Sequence, residues 1–304
     1  MNDKDYAIKL GKHAKKSDFQ TRLSKILKNK KILVSGGAGS IGFVLIKKLL
    51  EYPVHSIRVL DINEHALFEL KHEVNDPRLR LLLGSILDKD RIEMAGNKAD
   101  IIFHAAAIKN IEISEYNPIE TIDTNINGTV NMIKMAIRNK VKIFLNISTD
   151  KAADASTLYG TTKQLTERLI SWAGLHTEET KFASVRFGNV MDSNGNVFEI
   201  WEKELKNKKP LSITHPLAER YMFNSDEATK FILKCLTVLK TGEIFIPKMK
   251  SYKIKSLAQK YSKKQRIIGL RQGEKLKEIL ITEDEKKKCL EKKDMWVLSP
   301  YNNQ

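Results

Sequence analysis

The stretch from residue 148 to residue 163 reads S-T-D-K-A-A-D-A-S-T-L-Y-G-T-T-K and gathers a carboxylic acid (Asp150), two amines (Lys151, Lys163) and a phenol (Tyr159). Such groups move protons. A carboxyl can act as a general acid and a neutral amine as a base. A phenol can act as a base once a nearby cation draws its pKa below the usual value of about 10. Tyr159 and Lys163 are four residues apart, so on a helix they share a face. A solvated helix can carry a Tyr and a Lys at that spacing with no function, so the flanking elements must decide.

The apolar run Ile143–Ile147 precedes this stretch and predicts a buried parallel strand. Thr149, Asp150 and Lys151 then emerge at its carboxyl end, the edge where open α/β sheets hold ligands. Upstream, a strand at Lys31–Val34 runs into Ser35-Gly36-Gly37-Ala38-Gly39-Ser40-Ile41-Gly42 and a helix over Phe43–Glu51. Gly36, Gly39 and Gly42, with Ser40 and Ile41 between them, fit the turn that lets a pyrophosphate approach backbone N–H groups at a helix N-terminus. A second strand, Ser56–Leu60, ends in Asp61, with Asn63 in the same turn. An acid there accepts from a ribose 2′-hydroxyl and repels a 2′-phosphate, which favours NAD and leaves NADP as the alternative.

A third strand over Arg80–Leu83 leads to Ser85 and Ile86, a lip for the adenine, and a fourth over Asp100–Phe103 opens into Ala105, Ala106 and Ala107. Small residues there let the backbone pass close to a flat ligand. The helix expected over residues 118–139 carries Asn125, read either as a cofactor contact or as a buried amide tying strand ends together. A bound nicotinamide cation would further favour the Tyr159 phenolate. The pattern predicts a Rossmann-type doubly wound parallel sheet over residues 31–189. A basic N-terminal extension (1–30) precedes it, with an amphipathic helix bearing Phe19, Leu23, Ile26 and Leu27. A smaller C-terminal α/β substrate-binding part (190–304), interleaved with the sheet, follows.

The net charge of +16 raises the question of nucleic acid. The basic excess lies at the two ends, whereas residues 32–239 balance, and no stacking-aromatic motif accompanies it, so no specific nucleic-acid partner is expected. Two cysteines, Cys235 and Cys289, offer no disulfide framework, and no apolar run has the length of a signal peptide or membrane span, which predicts a cytoplasmic protein. No metal site is expected.

The stretches G-G-A-G-S-I-G, H-A-A-A-I-K, E-Y-N-P with T-N-I-N-G-T, S-T-D-K-A, L-Y-G-T-T-K, V-R-F-G-N-V, T-H-P with R-Y, and R-Q-G-E-K-L-K-E-I-L follow one another from about residue 20 onward. In that order the chain resembles the extended short-chain dehydrogenase/reductases. Within them it is most similar to the nucleotide-sugar 4,6-dehydratases of polysaccharide biosynthesis that act on UDP-N-acetylglucosamine. The resemblance implies that Tyr159 takes the O4 proton as hydride leaves C4, with Lys163 holding the cofactor ribose and stabilising the phenolate. Lys151 would then deprotonate C5, Asp150 would protonate the departing C6 hydroxyl, Thr149 would donate to O4, and hydride would return to C6. The product would be a UDP-4-keto-6-deoxy-N-acetylhexosamine, with C5 inverted. Asn189 and Arg271 would hold the diphosphate and Glu274 the uridine ribose, with Lys109 and Arg220 on the sugar or phosphate side. Pairing through helices 118–138 and 158–173 would make a homodimer or a higher homo-oligomer.

The chain departs from the family pattern at Ser85, at Asn194 and Asn196, and at Leu217-Ala218-Glu219. Two rivals stand beside the dehydratase. A UDP-sugar 4-epimerase needs Tyr159 and Lys163 but neither a C5 base nor a C6 acid, so the Asp150-Lys151 step favours dehydration. A non-catalytic NAD-binding or scaffold protein would keep the fold alone.

Overall fold

A computed structural model describes residues 18–193 and 195–299. The expectations placed on residues 1–17 and on Asn194 lie outside the described residues. Helix α1 (Asp18–Leu27) leads into β1 (Lys31–Ser35), α2 (Ser40–Leu50), β2 (Ser56–Asp61), α3 (Glu64–Glu73), β3 (Leu79–Leu83), α4 (Lys89–Gly96) and β4 (Ile101–His104). Two short helices, α5 (Ile111–Tyr116) and α6 (Pro118–Ile122), then a π-helical turn (Asp123–Asn127) and α7 (Gly128–Arg138), bring the chain to β5 (Ile143–Thr149). A 3-10 turn (Asp150–Ala152), α8 (Leu158–His176) and β6 (Lys181–Phe187) follow. The remainder is β7 (Asn189–Val190), α9 (Val197–Lys206), β8 (Leu211–Ile213), β9 (Glu219–Phe223), α10 (Ser225–Val238), β10 (Ile244–Pro247) and β11 (Ser251–Lys253). It ends with α11 (Ile254–Tyr261), β12 (Gln265–Ile267), α12 (Glu283–Lys286), β13 (Cys289–Glu291) and β14 (Met295–Leu298).

The main sheet runs β13-β14-β10-β6-β5-β4-β1-β2-β3, parallel from β10 to β3 and antiparallel at β14 and β13. Its central strands are continuous apolar runs because helices cover both faces. On one face Leu45, Ile46 and Leu49 of α2 and Ile232 and Leu236 of α10 close the core, joined by Leu23 and Leu27 of α1. On the other, Ile92 of α4, Met132 and Met135 of α7 and Ile170 of α8 do the same. Full burial of Leu23 and Leu27 stabilises the fold by roughly 1.5–3 kcal/mol each, which fixes α1 against the body.

The strand order reverses between β1 and β4, and the loops after both strands open at that switch point. Beyond β6 the chain builds a lobe from β7-β9-β11 and β8-β12 around the buried Trp201, then returns to the main sheet with β10, β13 and β14. The helix expected over 118–139 is in fact three pieces. Pro118 starts α6, and the π turn at Asp123–Asn127 adds a residue that turns Asn125 inward. β12 is short and pairs in parallel with β8.

Candidate active site

Two clefts meet over the carboxyl edge of the sheet. One, of about 500 Å³, runs along the glycine turn, the ends of β2 and β4, and the start of α8. The other, of about 660 Å³, lies between that edge and the C-terminal lobe. Lys109, Lys151 and Asn189 line both.

The first cleft has the shape of a dinucleotide cradle. Gly36 has φ +66°, and a Cβ there would fall 2.6 Å from Ala106 Cα; one on Gly42 would fall 2.5 Å from Gly37 Cα. The turn can therefore close on α2 only with glycine at both places, which leaves the helix N-terminus open to an anion. Gly36, Gly39, Ser40, Ile41, Gly42, Asp61, Asn63, Ser85, Ile86 and Ala105–Ala107 all line the cleft, as do Tyr159 and Lys163. The Asp61 carboxylate accepts from Ala38 N at 3.0 Å and Asn63 N at 3.0 Å, fixing it across the cleft mouth.

Asn125 stands behind the wall. Its Oδ1 accepts from Ile108 N at 2.8 Å, and its Nδ2 donates to Ile108 O and to Thr162 Oγ1, both at 3.0 Å. These bonds engage both ends of the amide, so Asn125 sets the path of the loop after β4. His104 is locked in a similar way. Thr129 donates to Asn125 O, so His104 Nε2–H donates to Thr129 Oγ1 while Nδ1 accepts from Ser35. Burial, then the Lys163 charge, pushes this imidazole down to about 3, and it stays neutral.

Lys151 stands where the clefts join, Thr149 and Tyr159 line the first cleft, and Asp150 is buried behind Lys151, outside both linings. Asp150 is 1 % exposed. Its Oδ1 accepts from Thr149 Oγ1 and from Lys151 Nζ, each at 3.0 Å, whereas the buried Oδ2 has no partner. An unsatisfied buried carboxylate oxygen is costly, and it marks a place for a proton or a donor. Lys151 Nζ also donates to Asn189 Oδ1 at 3.4 Å and lies 3.9 Å from Glu278 Oε1. Burial alone would lower the Lys151 ammonium, but Asp150 and Glu278 outweigh it and raise its pKa. Burial raises Glu278 above the usual carboxyl range, against the opposing Lys151 charge.

Tyr159 is raised by burial, opposed first by the Lys151 charge and then by a hydrogen bond with Thr149. Among the charges bearing on the phenol, Lys151 opposes the effect of burial most. Lys163 itself is pushed down to about 8 by burial, with Glu167 opposing.

Of the residues expected to hold substrate, Lys109, Asn189, Arg220, Arg271 and Glu274 all line the second cleft. They are not equally available. Arg220 Nη2 donates to Glu274 Oε1 at 2.5 Å, while its Nη1 donates to Glu219 O and Leu276 O, so this pair braces β9 against the segment after β12. Arg271, half-exposed, reaches Glu112 at 2.6 Å across the cleft mouth. Loss of solvation holds Lys109 below its ordinary range, with Glu199 opposing. Glu278 is the residue that reading the motifs missed. It sits in the R-Q-G-E-K-L-K-E stretch, and its signal was an acid four residues after Glu274 with no apparent use. Among the described residues, no group of His, Cys, Asp and Glu could hold a metal ion, and no helix is long and apolar enough to cross a membrane.

Residues 32–300 match the family described as "Polysaccharide biosynthesis protein". The chain is 38% identical over 277 residues to a UDP-N-acetylglucosamine 4,6-dehydratase (inverting) of Campylobacter jejuni, covering 89% of this chain and 83% of that protein. It is 44% identical over 294 residues to an uncharacterized membrane protein of Methanocaldococcus jannaschii, covering 92% and 88%. Relatives named UDP-glucose 4-epimerase, from Rickettsia bellii, stand further off at 31% identity. Among solved structures, Pen from Bacillus thuringiensis superposes with a TM-score of 0.86 at 36% identity over 90% of each chain. With its doubly wound sheet, its glycine cradle and its Tyr159 and Lys163, the chain belongs to the polysaccharide biosynthesis protein family, among the extended short-chain dehydrogenase/reductases that are nucleotide-sugar dehydratases and epimerases.

Proposed function

We propose that this protein is a UDP-N-acetylglucosamine 4,6-dehydratase that inverts C5 and works with tightly bound NAD in the cytoplasm. The observation that carries the reading is the Asp150–Lys151 pair at 3.0 Å where the two clefts join. A 4-epimerase needs neither group. NAD is favoured over NADP because, among the described residues, the only lysines or arginines lining the cofactor cleft are Lys109, Lys151 and Lys163, leaving a 2′-phosphate beside Asp61 without a cation.

The bound dinucleotide supplies a hydride acceptor for C4 and a donor for C6. Tyr159 takes the O4 proton, helped by Lys151 and Thr149. Lys151 must be a neutral amine to deprotonate C5, and Asp150 must be a neutral acid to protonate the C6 hydroxyl. One proton passing from Lys151 Nζ to Asp150 Oδ1 creates both at once. Elimination then returns the pair to its charged form: Lys151 gains the C5 proton, Asp150 gives up its own, and water leaves. Inversion needs a donor on the face opposite Lys151. The product keeps its ketone, so Tyr159 still holds the O4 proton and has one to give. The exposed apolar residues Ile119, Ile122, Leu165 and Trp172 on α6 and α8 support pairing of two copies through these helices.

The test is UDP-N-acetylglucosamine incubated with the protein in deuterated water and followed by NMR. A 6-deoxy methyl signal with deuterium at C5 and inverted ring couplings is expected. UDP-N-acetylgalactosamine instead would make it an epimerase, and unchanged sugar beside bound NAD a binder.

A further inference from the structure

At the amino ends of β1 and β2, the side of the sheet opposite the clefts, lies a third groove of about 580 Å³. Lys31, His55, Arg58, Arg78, Arg80 and Arg91 line it, and among the described residues no carboxylate does. Arg78 is paired with Asp76, but among the described residues Lys31, Arg58, Arg80 and Arg91 form no ion pair. Backbone carbonyls hold the three guanidiniums instead. Arg58 Nη1 donates to Ala95 O at 2.8 Å and Asn97 O at 2.6 Å, Arg91 Nε to Leu83 O at 2.9 Å, and Arg80 Nη1 to Leu79 O at 2.9 Å and to Pro77 O. Carbonyls orient these groups without neutralising them.

Arg58 and Arg80 are register partners in the β2/β3 pair, two like charges side by side on one face. Like charges opposite each other repel, and an anion placed over them would relieve that repulsion. Arg58 is also partly desolvated, which lowers its pKa, with no acid opposing. The groove is thus cationic and of nucleotide size, with four of its basic side chains lacking a carboxylate partner among the described residues, and it is remote from the proton-moving residues. We propose that this groove is a separate binding site for an anionic, phosphate-bearing ligand. Planar guanidiniums suit phosphate oxygens by geometry as well as charge. Such a phosphate arrives either on a soluble phosphorylated compound or on an anionic lipid headgroup.

Inorganic pyrophosphate titrated by calorimetry into the full chain and into R58Q/R80Q tests the soluble source. Flotation with phosphatidylglycerol or phosphatidylcholine vesicles tests the lipid one. Both clefts are unaltered in the variant, so binding there cancels. A pyrophosphate site present in the wild type and lost from R58Q/R80Q supports a soluble ligand. Phosphatidylglycerol-only flotation that the variant loses supports a headgroup. If the double variant does not fold, R58Q and R80Q alone are each expected to weaken binding by about tenfold. Equal binding of both probes by wild type and variants overturns the proposal.

Discussion

Glu278 Oε1 stands 3.9 Å from Lys151 Nζ, which already holds Asp150 Oδ1 at 3.0 Å, so two carboxylates share one buried ammonium. Their combined charge raises the Lys151 pKa. In the proposed reaction Lys151 must shed its proton: transfer to Asp150 within the pair is independent of pH, whereas loss to solvent, which suffices for C5 exchange, follows the pKa that the carboxylates set. Removing the Glu278 charge lowers the Lys151 pKa and makes the free amine available at lower pH. Glu278→Gln is therefore expected to move the acid limb of C5 deuterium exchange down by roughly one pH unit. A limb that stays in place, at whatever rate, would assign Glu278 a purely structural role.

The roles proposed for Asp150 and Lys151 separate by isotope. Asp150→Asn keeps the contact volume but removes the acid, so C5 exchange should persist while the 6-deoxy methyl signal falls by about 10²–10⁴-fold. Lys151→Met should lose both. Equal loss of exchange and methyl formation in the Asn variant would mean that Asp150 acts only through Lys151.

Much of this site was legible in the sequence because its chemistry lies on contiguous runs. The glycine turn, Asp61, the Asp150-Lys151 step and the Tyr159–Lys163 spacing follow from local periodicity, and all of them line the clefts except Asp150, which is buried behind Lys151. Asn125 divided two readings that only tertiary contact could resolve, since its partners Ile108 and Thr162 come from other elements. Arg220 and Glu274 both line the second cleft, but a linear sequence does not show that they also pair with each other across 54 positions. Glu278 was passed over for the same reason: its meaning lies in its distance to Lys151.

Lys163 should trade stability for function. Its ammonium is buried and pushed down to about 8 from 10.5, so the unfolded chain binds a proton there more tightly than the folded one. That costs stability below about pH 8 and is relieved as pH rises from there toward the unfolded value. Lys163→Met, free of the charge, should raise the melting temperature of the cofactor-free protein at neutral pH, by up to roughly 3 kcal/mol in free energy. The gain should shrink toward pH 10, and turnover should be lost. A variant less stable than wild type at pH 7 would show that the ammonium is better compensated than its burial implies.

Arg186 ties the C-terminal segment to the sheet. Its guanidinium, buried in β6, donates to Glu167 of α8 at 3.0 and 2.7 Å, to Glu285 of α12 at 2.8 Å through each Nη, and to Leu280 O at 3.1 Å. Burial would lower this group, but the two carboxylates raise it far above its usual range, so it is charged at every working pH. Arg186→Met leaves Glu167, 2 % exposed, without its counter-charge, and breaking such a buried set should cost roughly 3–5 kcal/mol in denaturant unfolding. Glu285→Gln should cost less, because the Glu285 side chain is 22 % exposed and water can reach it. If Glu167→Gln in the Arg186→Met background restores most of the loss, the penalty lies in the orphaned carboxylate. If it restores none, the lost anchoring of α12 and Leu280 dominates, and the Glu278 side of the substrate cleft should loosen with it.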